Sequence, residues 1–277
     1  MKVTVVMENN VPARIRRPYL AEHGLSMLLD TGNKLYLFDT GQTSAVIHNL
    51  SLLGVHPSAL DGIILSHGHY DHTGGLYAIL THAKKKIPVY ANDGIFVPRF
   101  SRSQDDCSYI GVPYPKDLLI SLGAEFNFLQ APLQLNSNLW ISGPVPRKTE
   151  EKGDSRLVTR CCEGCETTDT IPDDLSLYCQ TPNGLVVICG CAHAGLVNIL
   201  RYGFELTDQK RLHGIIGGTH LGGVSDEQCL TSLKEIEKLN PDFVAANHCT
   251  GFNVMARLQD LLKDRFIPAF VGTIINC

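Results

Sequence analysis

The sequence predicts an α/β fold, on three observations. Short apolar, β-branched runs alternate with segments of helical period. Four of those runs end in a glycine-flanked histidine and pass directly into a helix-like stretch. A length of 277 residues, 44% of them hydrophobic, supplies a large buried core within one domain spanning 1–277.

Residues 3–7, 26–29 and 34–38 read as strands, the last two joined as a hairpin through Thr31-Gly32-Asn33. Apolar residues recur at helical spacing over 43–53, and Gly54 ends that segment. A strand at 63–65, a helix at 76–83 and a strand at 89–91 follow. From about 99 to 174 proline, glycine and charge increase and periodicity weakens. Only 126–129 and 139–141 read as strands there, so this stretch is expected to be a substrate-facing insert of long loops. Regular alternation then resumes: strand 185–189 and helix 196–202, strand 213–216 and helix 226–239, strand 242–246 and helix 252–264.

Composition excludes several classes. A net charge of −4 offers no broad basic surface, so the expected partner is a small-molecule substrate rather than nucleic acid. No apolar run approaches the roughly 20 residues that span a bilayer. Residues 1–7 read as a short strand and not as an export signal, so the expected location is cytoplasmic; oligomeric state is left open. The ten cysteines are accordingly expected as reduced, mostly buried thiols. CCEGC at 161–165 stands apart, because Cys161, Cys162 and Cys165 lie in a polar stretch. Its lone CxxC is a weaker zinc signature than a pair of such motifs.

The densest chemistry is HGHYDH at 67–72, directly after the apolar run 62–66. Three histidines and an aspartate supply N and O donors for a transition metal, which needs them at about 2.0–2.2 Å. On an extended segment His67 and His69 point the same way. Gly68 and the Thr73-Gly74-Gly75 corner are expected to let the chain turn, leaving Asp71 and His72 at the helix entrance to face a second ion. The pattern recurs in GCAHAG (190–195) with Cys191 and His193, GGTHLGG (217–223) with His220, and NHCTG (247–251) with His248. Loops leaving the carboxyl ends of strands are where α/β sheets bind ligands, and helix N-termini there favour anions. One cleft that collects all four loops is the economical expectation.

With FDTG at 38–41 before it, HxHxDH resembles the metallo-β-lactamase-fold hydrolases over essentially the whole chain. AEHGLS (21–26), Pro146-Arg147, Asp173-Asp174, GCAHAG, GGTHL and NHCTG are similar to a subgroup typified by an archaeal enzyme of tetrahydromethanopterin synthesis. That enzyme joins a dihydropterin to ribofuranosylaminobenzene 5′-phosphate. The resemblance implies a four-layer αβ/βα sandwich holding two divalent metal ions, zinc first, with manganese or iron as alternatives. It implies that His67, His69 and His193 ligate one ion and that Asp71, His72 and His248 ligate the other, with Asp39 hydrogen-bonding a metal histidine. The aspartate that bridges the two metals in the superfamily has no counterpart here; Cys191, a water and Asp174 are the candidates for its place.

Asp71 and His220 are the candidate catalytic residues, the imidazole because it titrates near neutrality. His23 and Arg147 are the candidate substrate contacts, the latter through a planar fork suited to phosphate. The implied activity is metal-dependent hydrolysis, by metal-activated water, of a small phosphate- or carboxylate-bearing molecule. A pterin-type synthase or transferase on the same site is the alternative. An iron redox or metal-binding role is a third reading, against which His69 stands where flavodiiron enzymes usually carry glutamate.

Overall fold

Strands Leu35–Phe38, Gly62–Ile64, Ile87–Ala91 and Ala124–Phe128 are parallel neighbours in the computed structural model. Each connection between them carries helix, as a parallel register requires. The structure describes residues 1–160 and 166–277, so CCEGC lies outside the described residues. These four strands belong to a first unit made of Met1–Phe128, Arg156–Asp169 and Phe270–Asn276. On their other side Ser26–Asp30, Lys2–Met7 and Ile274–Asn276 continue the same sheet in antiparallel register. Strand Gly62–Ile64 is buried along its whole length, which explains its unbroken apolar run. Helices Ala45–Leu52 and Leu76–Ala83 supply Val46, Leu50, Leu76, Ile79 and Leu80 to a core shared with Leu37, Ile63 and Val89.

The second unit comprises Leu129–Ser155, Thr170–Ala269 and Cys277. Its sheet repeats the half-parallel, half-antiparallel plan. Gly184–Cys189, Leu212–Gly218, Phe243–Asn247 and Phe266–Pro268 are parallel, while Ser176–Thr181, Leu139–Ile141 and Leu133–Asn136 run antiparallel. Helix Leu196–Thr207 lies against Gly184–Cys189 and Ser176–Thr181, where the buried Tyr178 hydroxyl donates to Ile199 O at 2.9 Å. Helix Phe252–Leu262 lies against Phe243–Asn247 and Phe266–Pro268. Ser225 caps helix Asp226–Leu239, accepting from Gln228 N, and Asp226 and Glu227 in the first turn complement the helix dipole.

The 99–174 stretch differs from the expected run of loops. Within the first unit Arg99–Arg102, Cys107–Tyr109, Leu157–Arg160 and Glu166–Thr168 pair as an antiparallel sheet of their own. These strands are three or four residues long, and Cys107–Tyr109 and Glu166–Thr168 have no buried residue, so they carry too few apolar alternations to register in sequence. Among the described residues no helix is long and apolar enough to cross a membrane.

Candidate metal centre

In both units the candidate metal ligands lie on loops that leave the carboxyl ends of the parallel strands. In the first unit, Asp39 follows Leu35–Phe38 and the HGHYDH loop follows Gly62–Ile64. Main-chain bonds fix this loop: Thr40 N donates to His72 O at 2.7 Å and Leu25 N to Asp71 O at 3.1 Å, which accounts for the neighbouring AEHGLS and FDTG motifs. Asp39, His67, His69, Asp71 and His72 are all buried.

The hydrogen bonds of Asp39 fix the tautomers of two histidines. Its Oδ1 accepts from Ser66 N at 2.7 Å, and its Oδ2 meets Ser66 Oγ and His72 Nδ1, each at 2.7 Å. A serine hydroxyl has one proton. Since Ser66 donates that proton to Asp39, its oxygen accepts from His67 Nδ1, 2.8 Å away. Both His67 and His72 therefore carry their proton on Nδ1 and present the Nε2 lone pair. His67 Nε2 lies 2.9 Å from His69 Nδ1, two ring nitrogens placed to share either a proton or a cation. The His67 ring centroid lies 4.5 Å from that of His69 and 4.3 Å from that of His72. Asp71 Oδ2 stands 3.7 Å from His72 Nε2 and 3.2 Å from His23 Nε2. The hydrogen bond to Asp71 raises the pKa of the half-exposed His23 above its ordinary value. Buried imidazole nitrogens with enforced lone pairs beside a carboxylate are a donor set that fits a divalent cation.

The expectation about glycine is corrected. Gly74 and Gly75 have ordinary helical φ values of −68° and −74°, so left-handed freedom is not their use. A Cβ at Gly75 would lie 2.0 Å from Thr40 O, and one at Gly68 would lie 2.1 Å from Ile95 O. These glycines permit close approach of the backbone.

The second unit gathers Cys191, His193, His220, His248 and Cys249 on three successive strand ends. The His193 and His220 rings lie 4.3 Å apart, tilted by 49°. Asp174, buried, accepts from Ala194 N through Oδ2 at 2.8 Å and so anchors the His193 loop. Arg147 Nη1 donates to His193 O at 2.9 Å, while Nη2 donates to Ile171 O at 3.1 Å and to Thr170 O. The fork offered by sequence as a phosphate contact thus donates to three main-chain carbonyls. Thr219 N donates to Thr250 Oγ1 at 3.1 Å, tying the His220 loop to the loop after His248.

Two features escaped the sequence. Ser66 relays Asp39 to His67, yet a serine at a strand end carries no distinguishing signal. Asp39, Ala192, His220 and His248 have φ of 59°, 60°, 52° and 50°, a left-handed conformation that costs of order 1–3 kcal/mol per non-glycine residue and gathers at functional sites. Nothing in these residue types announces it.

Comparison with known proteins agrees with the geometry. The model of the metallo-beta-lactamase superfamily matches residues 20–130. A 7,8-dihydropterin-6-methyl-4-(beta-D-ribofuranosyl)-aminobenzene-5′-phosphate synthase of Methanocaldococcus jannaschii is 28% identical over 94% of this chain and 91% of its own length. An uncharacterized protein of the same organism is 30% identical over 94% of this chain and 95% of its own. Among solved structures, a metal-dependent hydrolase of the beta-lactamase superfamily superposes with a TM-score of 0.85 at 24% identity, covering 100% of this chain and 99% of that one. That likeness establishes a shared fold.

Proposed function

The chain belongs to the metallo-β-lactamase superfamily, and on that premise we propose that it is a metal-dependent hydrolase of a small phosphate- or carboxylate-bearing molecule. One observation carries the proposal: Asp39, directly and through Ser66, fixes His67 and His72 with their Nε2 lone pairs presented. By resemblance to the superfamily, His67, His69 and His193 are proposed for one ion and Asp71, His72 and His248 for a second, zinc in the first place. When bound, a divalent ion supplies a water of pKa about 7 and a Lewis acid for a polarised oxygen.

The chain's own residues divide the remaining work. Asp71 is proposed to orient the attacking water and take its proton on Oδ2, the atom that also faces His23. His220, held by a left-handed backbone, is proposed to donate to the oxyanion that develops as the bond breaks. Asp39 and Ser66 are proposed to position His67 and His72, and Asp174 the His193 loop, without touching substrate.

The test is hydrolysis of a panel of phosphate esters, thioesters and lactones before and after chelation, with His67→Ala and His72→Ala alongside. Loss of turnover on chelation and in both variants is expected; full turnover by metal-free His67→Ala would refute the proposal.

A second reading is a synthase that condenses a dihydropterin with ribofuranosylaminobenzene 5′-phosphate. The activity of the 28% identical relative that aligns over 94% of this chain favours it. It differs experimentally by requiring both substrates together, with the pterin supplied as a diphosphate ester whose C–O bond breaks as the new bond forms and releases diphosphate.

A further inference from the structure

The loops after Gly184–Cys189 and Phe243–Asn247 bring together three soft donors within the second unit. One ligand atom each from Cys191, His248 and Cys249 lies within 4.8 Å of the other two. Strand Leu212–Gly218 runs between these two strands and ends in Gly218, where a Cβ would lie 2.6 Å from Cys249 Sγ. The second glycine of GGTHL therefore makes room for that sulfur and for Gly190 O, which would lie 2.4 Å away. The same sulfur accepts from His220 N at 3.3 Å and donates to Cys191 O at 3.7 Å, so main chain from two further loops fixes its position. Cys191 is buried and Cys249 partly so.

We propose that Cys191, His248 and Cys249 form a two-thiolate, one-imidazole site for a thiophilic divalent cation, zinc or cobalt. Tetrahedral bonds of about 2.3 Å to sulfur and 2.0–2.1 Å to nitrogen put these donors roughly 3.6–3.8 Å apart, about an ångström inside the 4.8 Å within which they lie. Each thiol gives up its proton to solvent on binding, and the two thiolates cancel the charge of the ion. Hard ions such as magnesium or calcium gain nothing from sulfur, so the donor set selects among metals. Three protein donors leave a fourth position for water or a substrate atom. The inference deepens the proposed metal chemistry and meets it at one residue: His248 serves this ion in place of the ion proposed for Asp71 and His72, and the histidines of HGHYDH take no part.

The test uses the full chain, stripped by chelator under reductant and titrated with cobalt(II). Thiolate-to-cobalt charge-transfer absorption in the near ultraviolet is expected. It should fall by about half in Cys191→Ser and in Cys249→Ser, vanish in the double variant, and persist in His67→Ala. Cobalt taken up by the wild type without that absorption would overturn the proposal and leave the histidine chemistry standing. Absorption retained in the double variant would also overturn it, moving the thiolates to Cys161, Cys162 and Cys165. A measurement on the wild type alone guards against variants that fail to fold. Zinc should slow iodoacetamide labelling of Cys249, read by peptide mapping; equal rates with and without zinc would overturn the site.

Discussion

Asp39 determines which nitrogen His72 offers: its Oδ2 lies 2.7 Å from His72 Nδ1, with both side chains wholly buried. Partners of this kind, one bond removed from the ion, contribute about 10–100-fold in metal affinity. Asp39→Asn keeps the shape but loses one acceptor oxygen. It should therefore weaken zinc binding by that factor, measured by competition with a chromophoric chelator. Affinity equal to wild type would show that the Asp39 network does not prepare His67 and His72 for an ion.

The His23–Asp71 contact predicts a pH signature. The Asp71 hydrogen bond raises the folded-state pKa of His23, so in metal-free protein its stabilising contribution is complete below the unfolded value near 6.5. That contribution is lost as pH rises through the raised folded value. A cation that takes the Asp71 carboxylate removes the cause, so zinc should lower the His23 pKa. Titration of the imidazole by NMR checks this; an unchanged pKa on zinc loading would remove Asp71 from the ligand set.

Gly75→Ala tests a close approach at the N-cap of helix Leu76–Ala83, a position where glycine is preferred to alanine. The added Cβ would stand 2.0 Å from Thr40 O, and overpacking costs typically about 1–3 kcal/mol, more where backbone must move. Both effects point the same way, so the unfolding free energy from chemical denaturation should fall by about 1–3 kcal/mol. A more stable variant would show that Gly75 is helix-compatible and not a close-approach residue.

Arg99 and Asp169 form a buried pair in the first unit, Nε to Oδ2 at 2.9 Å, with Arg99 also donating to Ile95 O and Gly94 O. Asp169→Ala leaves the guanidinium without this carboxylate and should cost about 3–5 kcal/mol in chemical denaturation. Replacing both, as Arg99→Met with Asp169→Leu, should recover most of that loss. A small effect of the single variant would show that solvent reaches the guanidinium.

What the sequence disclosed and what it concealed follow from how each feature is encoded. HGHYDH and the Gly-flanked histidines were legible because donor type and strand-end position both appear as letters and period. Gly62–Ile64 announced itself through an unbroken apolar run. Arg99–Arg102 and Glu166–Thr168, short and half-solvated, left no comparable trace. The donations of Arg147 to three carbonyls, the relay through Ser66 and the left-handed backbones of Asp39, His220 and His248 depend on where distant segments land. The same letters suit a phosphate contact, a strand-end serine and an unstrained loop.

The central claim is that the HGHYDH loop and its Asp39 network bind metal. Elemental analysis of protein purified without added metal, repeated on His67→Ala and His72→Ala, tests it most directly. About two zinc or manganese ions per chain, falling toward one in each variant, is the predicted result, on the two-ion pattern of dinuclear sites. Metal content near zero, or content unchanged by both substitutions, would contradict it.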